Sequence, residues 1–323
     1  MGLFNSVKKR FIIQLVGVAL LENSCKIYVK KIKNSKVIYR AKKTFDLESK
    51  DKLSTSVINY LNSLQEEHEQ TYVALFLNTL GQGAIPGCNT GAYEKFGVDK
   101  QNVKSICIDN EFTIYASFID IHWVDKIFQK VGLDFVFSPF LILDHFAQKE
   151  IIENEVKLYI LNTHNGLTIM IKRGKKLLYG SFFNIAKEED LLHDDFENAD
   201  SSTAINLEEE IFEEFDEDDE SELKEMQEFD DGTDYDDEGL QSRLSQMDAR
   251  LVKYLDVSLK EFYHSELYDS AFISKVKIYD DAGMNEEVIR YIEDELLLDT
   301  SAENISILDT VLDISEDEVI THA

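Results

Sequence analysis

Between Lys187 and Leu240 the chain carries 26 acidic and two basic residues, and no compact core can hold a run of that charge density. Like-charge repulsion opposes its collapse, and its apolar residues are too sparse to offset the entropy of ordering it. The segment is read as an acidic, disordered, low-complexity linker. Leu207, Ile211, Phe212 and Phe215 are spaced along it like one helix face, a nascent helix or a motif that folds on contact with a partner. Any fold must therefore be assembled from the stretches on either side, and the 44% apolar content of the chain is enough to give them a core. The whole chain has 63 acidic against 33 basic residues, a net charge of -30, so an exposed surface of average composition repels nucleic acid and anionic lipid.

The stretch before the linker reads as mixed α/β. Phe11 to Val18, Lys26 to Ile32 and Lys36 to Thr44 are β-rich runs separated by turn residues, a three-strand meander. Leu53, Val57, Tyr60, Leu61 and Leu64 recur at helical spacing, and Tyr72 to Leu77 returns to strand. A glycine-rich loop is expected from Gly81 to Gly91, then strands at Ser105 to Ile108 and Phe112 to Phe118. A helix follows, carrying Val124, Ile127, Phe128 and Val131 and stopped by Gly132. Phe135 to Phe137 is a short strand, and Pro139 opens a helix to about Lys149. Lys157 to Asn162, Leu167 to Lys172 and Lys176 to Ser181 then form a second meander, turned at Asn165-Gly166 and Arg173-Gly174. Beyond the linker, Leu244 to Phe262 is an amphipathic helix, Phe272 to Tyr279 a strand, Glu286 to Leu297 a helix, and Ile305 to Ile307 the start of a terminal strand.

Several chemistries have no support. Cys25, Cys88 and Cys107 lie far apart with no CxxC pair, so neither a disulfide framework nor a zinc site is expected, and a reducing cytosol fits. The apolar run Phe11 to Leu21 is well short of the ~20 residues of a membrane helix and is read as a strand. Gly81, Gly83, Gly87 and Gly91 lack the lysine of a phosphate loop, and no nucleophile elbow is present. His122, His145 and His164 show no metal-ligand spacing, so no metal site and no catalytic residue is assigned.

The layout and four stretches resemble a known family. Leu15-Val16-Gly17-Val18-Ala19 followed by Ser24-Cys25-Lys26 is similar to the first phosphate strand of the actin-like ATPase superfamily. Val131-Gly132-Leu133-Asp134-Phe135-Val136 with Pro139 resembles its Ala-Gly-Leu strand-to-helix joint. Tyr159 to Gly166 with Gly180 resembles the second phosphate strand, and Val276 to Leu296 the adenosine motif. Within the superfamily the likeness is to the type IV pilus assembly protein PilM and the cytoplasmic domain of the type II secretion protein GspL.

The resemblance implies an α/β chain of actin-like, ribonuclease H-like duplicated domains with a long acidic insertion. Residues 1–150 would form the first half with an inserted small subdomain, 151–186 the start of the second half, 187–240 the linker and 241–323 the rest of the second half. It also implies degenerate nucleotide positions at Gly17, Ala19, Asn162, Gly166 and Gly283. Ala19 and Asn162 stand where the family has metal-binding aspartates, and Asp280-Asp281-Ala282-Gly283 where it has paired glycines, so no ATP or magnesium cofactor and no enzyme activity are expected. The implied role is a scaffold or adaptor of a pilus, secretion or DNA-uptake machine at the inner face of the cytoplasmic membrane. It would bind the tail of an inner-membrane assembly protein, with a motor ATPase as a further partner and no nucleic-acid partner; an ATP-binding switch or ATPase is the alternative. Lys30, Lys33 and Lys42 are candidate partner contacts, because they belong to the densest basic cluster in the chain.

Overall fold

The computed structural model of the chain describes residues 12–185 and 245–322. The acidic segment from Lys187 to Leu240 lies outside the described residues, as does the start of the first expected strand at Phe11.

The first half opens with strands β1 (Ile13–Leu20), β2 (Ser24–Lys33) and β3 (Lys36–Asp46), an antiparallel meander as expected. The β2–β3 turn uses Asn34 and Ser35 at positive φ, the backbone that a two-residue hairpin requires. Helix α1 (Thr55–Glu67) is capped by the Ser54 hydroxyl, which accepts from the Val57 N–H, and it buries Val57, Leu61 and Leu64. It returns the chain to β4 (Thr71–Phe76), which lies parallel to β1. A small antiparallel sheet is inserted next, made of β5 (Gln82–Pro86), β6 (Val103–Ile108) and β7 (Phe112–Ser117), with the short helix α2 (Thr90–Lys95) between its first two strands. The region expected as a glycine-rich loop thus contains a strand, because its apolar Ala84 and Ile85 are buried. Helix α3 (Phe118–Phe128) then leads to β8 (Phe135–Phe137), and α4 (Pro139–Ala147) closes the half with Pro139 in its first turn.

The second half repeats the plan. Strands β9 (Val156–Asn162), β10 (Gly166–Arg173) and β11 (Lys176–Asn184) form a meander, and α5 (Gln246–His264) precedes β12 (Lys275–Asp280). Helix α6 (Glu286–Glu295) connects β12 to β13 (Asp299–Asn304), and β9, β12 and β13 are mutually parallel. The first sheet is ordered β3-β2-β1-β4-β8 and the second β11-β10-β9-β12-β13. Each has a central strand with a meander on one side and two parallel crossovers on the other, so the chain has the duplicated, ribonuclease H-like arrangement of the actin-like fold. Helix α5 takes the β11-to-β12 crossover, the position that α1 occupies in the first half.

Two expectations fail at the carboxyl end. Ile305 to Ile307 does not begin a strand; α7 (Ile307–His322) starts there. Nor does everything after residue 241 belong to the second half, because α7 packs against β1, β2 and β4. Its Ile307, Leu308 and Val311 join a core that also holds Phe140 and Leu143 of α4, Tyr159 and Leu161 of β9, and Ala19 of β1, while Leu312 and Val319 pack with Leu15 and Ile32 of the first sheet. A further core on the first sheet gathers Val16, Val18, Ile27, Val73 and Leu75 against Val57 and Leu61 of α1 and Val124 and Phe128 of α3. The cysteine expectation also changes: Cys88 and Cys107 form a disulfide, with Cα atoms 5.6 Å apart. Gly87, at positive φ, turns the chain past the β6–β7 hairpin so that Cys88 reaches the far strand of the small sheet. This pairing removes cysteine usage as an argument for a reducing compartment.

Candidate functional site

A cavity of about 280 Å³ lies where the carboxyl ends of β1 and β4 approach the β9–β10 turn and the end of β12. Open α/β sheets place ligands at such strand ends. Ala19 to Leu21 and Asn78 form one wall, Thr163 to Asn165 the opposite one, and Asp281 and Ile305 to Leu308 the floor, while Lys26, Tyr28 and Lys42 reach in from the meander.

The charges there are matched within the chain. Lys42 Nζ donates to Asp309 Oδ2 at 2.8 Å, and Arg40 Nη1 donates to Asp309 Oδ1 at 3.2 Å. Burial pushes the Asp309 carboxyl up, but hydrogen bonds from Lys42 and Ser306 and the nearby cations outweigh it and hold the group below its ordinary value. The Lys42 ammonium also lies 4.2 Å from the Tyr28 ring centre, a cation–π contact. Asp281 accepts from the Ile307 N–H at 2.9 Å, and its other oxygen is 3.9 Å from His164 Nδ1. Burial pushes the Asp281 carboxyl up, opposed in part by that N–H and by His164 and Lys26.

The positions singled out from sequence divide. Ala19 lines the cavity, and its methyl offers no ligand to a cation. Asn162, at the end of β9, is buried and donates from Nδ2 to Asp280 Oδ1 at 2.8 Å, while its own Oδ1 has no hydrogen-bond partner. Asp280 also accepts from the N–H groups of Ala282, Gly283 and Met284, so its carboxylate caps the turn into α6 and is fully engaged. Gly283 has φ +86°, the left-handed conformation that this turn demands. Gly166 lets the β9–β10 hairpin approach Asn78: a Cβ there would lie 2.7 Å from Asn78 Oδ1. Gly17 is away from the cavity and faces α7, where a Cβ would sit 3.4 Å from the Leu308 carbonyl.

Magnesium prefers hard anionic oxygens, and the family that the sequence resembles holds its metal with an aspartate from each phosphate strand. The methyl of Ala19 and the amide of Asn162 do not fit that requirement. Asp309, Tyr28 and Asn78 were not singled out from the sequence. Asp309 lies just past Ile305 to Ile307, the expected start of a terminal strand, although Leu308, Val311, Leu312, Ser315 and Val319 follow helical spacing and are all buried.

The candidate partner contacts also divide. Lys30 is buried, not part of a surface patch, and bonds Asp313 at 2.6 Å and Glu316 at 2.5 Å of α7. Burial would lower its pKa, but those two carboxylates raise it above the ordinary value. Lys42 is committed to Asp309, and Lys33 remains exposed. Among the described residues no helix is long and apolar enough to cross a membrane.

Two family models match, both described as domains of unknown function: DUF8569 over residues 11–144 and DUF8341 over residues 158–320. No curated protein matches. Among solved structures, the chain is similar to a Bacteroides thetaiotaomicron protein with an actin-like ATPase fold, at 11% identity and TM-score 0.44, with 99% of each chain covered. It is also similar to a chain of the PilM-PilN type IV pilus biogenesis complex, at 12% identity and TM-score 0.49, covering 95% of this chain and 96% of the other. A third is the ethanolamine utilization protein EutJ from Carboxydothermus hydrogenoformans, at 9% identity and TM-score 0.39, covering 93% of this chain and 87% of the other. The fold assignment rests on the repeated strand order and not on these scores. With its match spanning half of the sequence, the chain belongs to the DUF8341 family.

Proposed function

We propose that this protein is a nucleotide-independent scaffold, an adaptor of a type IV pilus, type II secretion or DNA-uptake assembly machine that binds the cytoplasmic tail of an inner-membrane protein. The observation that carries the reading is the donor set at the strand ends: Ala19 lines the cavity with a methyl, Asn162 behind it holds Asp280, and Asp281, the one carboxylate among the described lining residues, accepts from the Ile307 N–H. The class of machine and the cytoplasmic location follow from the resemblance of the strand motifs. A docking place is available beside the inserted small sheet, where Leu80, Phe118 and Ile119 are exposed, Ile119 to 82%. Those residues adjoin one another, since the Ser117 N–H bonds the Gly81 carbonyl at 2.6 Å. Exposed apolar clusters of this kind mark interaction sites.

A second reading, an ATP-binding switch, is favoured by the cavity itself, which Lys26 and His164 line. A thermal-shift titration with magnesium ATP separates the two. A ligand at 100 times its Kd stabilises the native state by about 2.7 kcal/mol, so a rise in melting temperature that saturates with ATP would sink the nucleotide-independent reading. The docking place is tested with Ile119→Glu, which is expected to abolish recovery of the membrane assembly proteins that the native chain retains from solubilised membranes, with no change in melting temperature. Equal recovery by both would remove this surface from the proposal.

A further inference from the structure

The first sheet leaves a long edge open. Strand β3 pairs with β2 alone and stands at the end of the sheet, and nine of its eleven residues are exposed. Its outer backbone N–H and C=O groups are a template for another strand. Val37, Ile38 and Tyr39 are each about half exposed on it, which is unusual for large apolar side chains next to one another. The register shift opposite Lys31 and Ile32 makes Ile38 a bulge, so regular pairing is offered from Tyr39 onward, with the apolar trio at its hairpin end.

Charge selects the occupant. Positions 26 to 43 hold eight basic residues and no acidic one, in a chain with a net charge of -30. Lys30, Arg40 and Lys42 are consumed by carboxylates of α7, and Lys31 by Glu67. Lys33, Lys36 and Lys43 remain exposed with no carboxylate partner among the described residues. A second copy pairing β3 to β3 would set lysine against lysine, and an anionic membrane is repelled by the rest of the molecule. We infer that the β3 edge, Lys36–Asp46, receives an extended acidic peptide of a partner protein that alternates carboxylate and apolar side chains and adds a strand to the first sheet. This surface is separate from the one beside the small sheet and stands whether or not the scaffold reading holds.

The test uses the full chain and a fluorescein-labelled dodecapeptide alternating Glu with Val or Thr, read by anisotropy. Saturable binding is expected, weakening at least tenfold between 50 and 300 mM salt, as about the screening of a few exposed ion pairs requires. Lys33→Glu/Lys36→Glu, which alters exposed side chains and is checked by an unchanged melting curve, is expected to weaken binding at least tenfold. The same peptide N-methylated at alternate residues keeps its charge but cannot complete the ladder, and should not bind. Equal binding of the methylated peptide would reduce the surface to ionic capture and overturn strand addition. Three other results overturn the proposal as well: no binding of the probe; binding only after residues 187–240 are replaced by a Gly/Ser linker, which would make the chain's own segment the occupant; and cosedimentation with phosphatidylserine vesicles that the charge reversal abolishes.

Discussion

Asp309 links the cavity to the last helix, and it illustrates how one side chain takes over charges that the sequence left available. Its carboxyl is held below the ordinary value of 3.8, so it favours the native state above that pH, and the benefit disappears as pH falls through the depressed native value. Asp309→Asn is therefore expected to melt lower than the native chain at pH 7, with the gap narrowing below about pH 3.8 as the native carboxyl protonates. A gap independent of pH would mean that the pairs with Arg40 and Lys42 contribute nothing through charge. The same side chain explains why Arg40 and Lys42 could not be read as paired: lysine spacing reports local charge density, whereas the acid that engages them lies far along the chain, Lys42 and Asp309 being separated by 267 positions.

At the scale of elements, α7 is the piece that departs most from the reading of the sequence. Its apolar residues follow helical spacing, but the short β-branched start at Ile305 to Ile307 resembles a strand, and its acids look like a solvated tail. Once the sheets are in place, those acids meet Lys30 and Lys42, and Leu312 is fully buried against the first sheet. Leu312→Ala leaves a cavity and is expected to cost about 3 kcal/mol, read from the urea midpoint. A loss under about 1 kcal/mol would show that α7 is not an integral layer of the first half. The meanders, by contrast, were legible from alternation and turn chemistry, because strand pairing through a two-residue turn is decided by neighbours in the chain.

For the whole molecule, the proposed independence of nucleotide is tested by adding two carboxylates at the strand ends. Ala19→Asp/Asn162→Asp is expected to show no ATP hydrolysis above background in a phosphate-release assay, because Asp280 already occupies the hydrogen-bonding reach of position 162. The Asn162→Asp change replaces an amide donor by a carboxylate facing Asp280, and so should itself destabilise by about 2 kcal/mol. Hydrolysis well above background would instead show that the cleft retains the rest of the catalytic apparatus and lacks the metal ligands alone. The cavity also gives a reason for the family position of Gly17 to lose its expected meaning: it is spent on packing α7, not on approach to a ligand.

The sequence by itself determined the two meanders, their central strands and the helix opened by Pro139. These follow from local forces: alternation, capping and turn residues act within a few residues. The resemblance also pointed to Ala19 and Asn162, which stand near the ends of β1 and β9. Only the tertiary structure decided that Cys88 meets Cys107, that Asn162 is held by Asp280, and that the carboxyl-terminal helix crosses to the first sheet and silences Lys30. Each of these is a pairing of groups far apart in the chain, set by which sheet edges and core faces come together and not by the residues on either side.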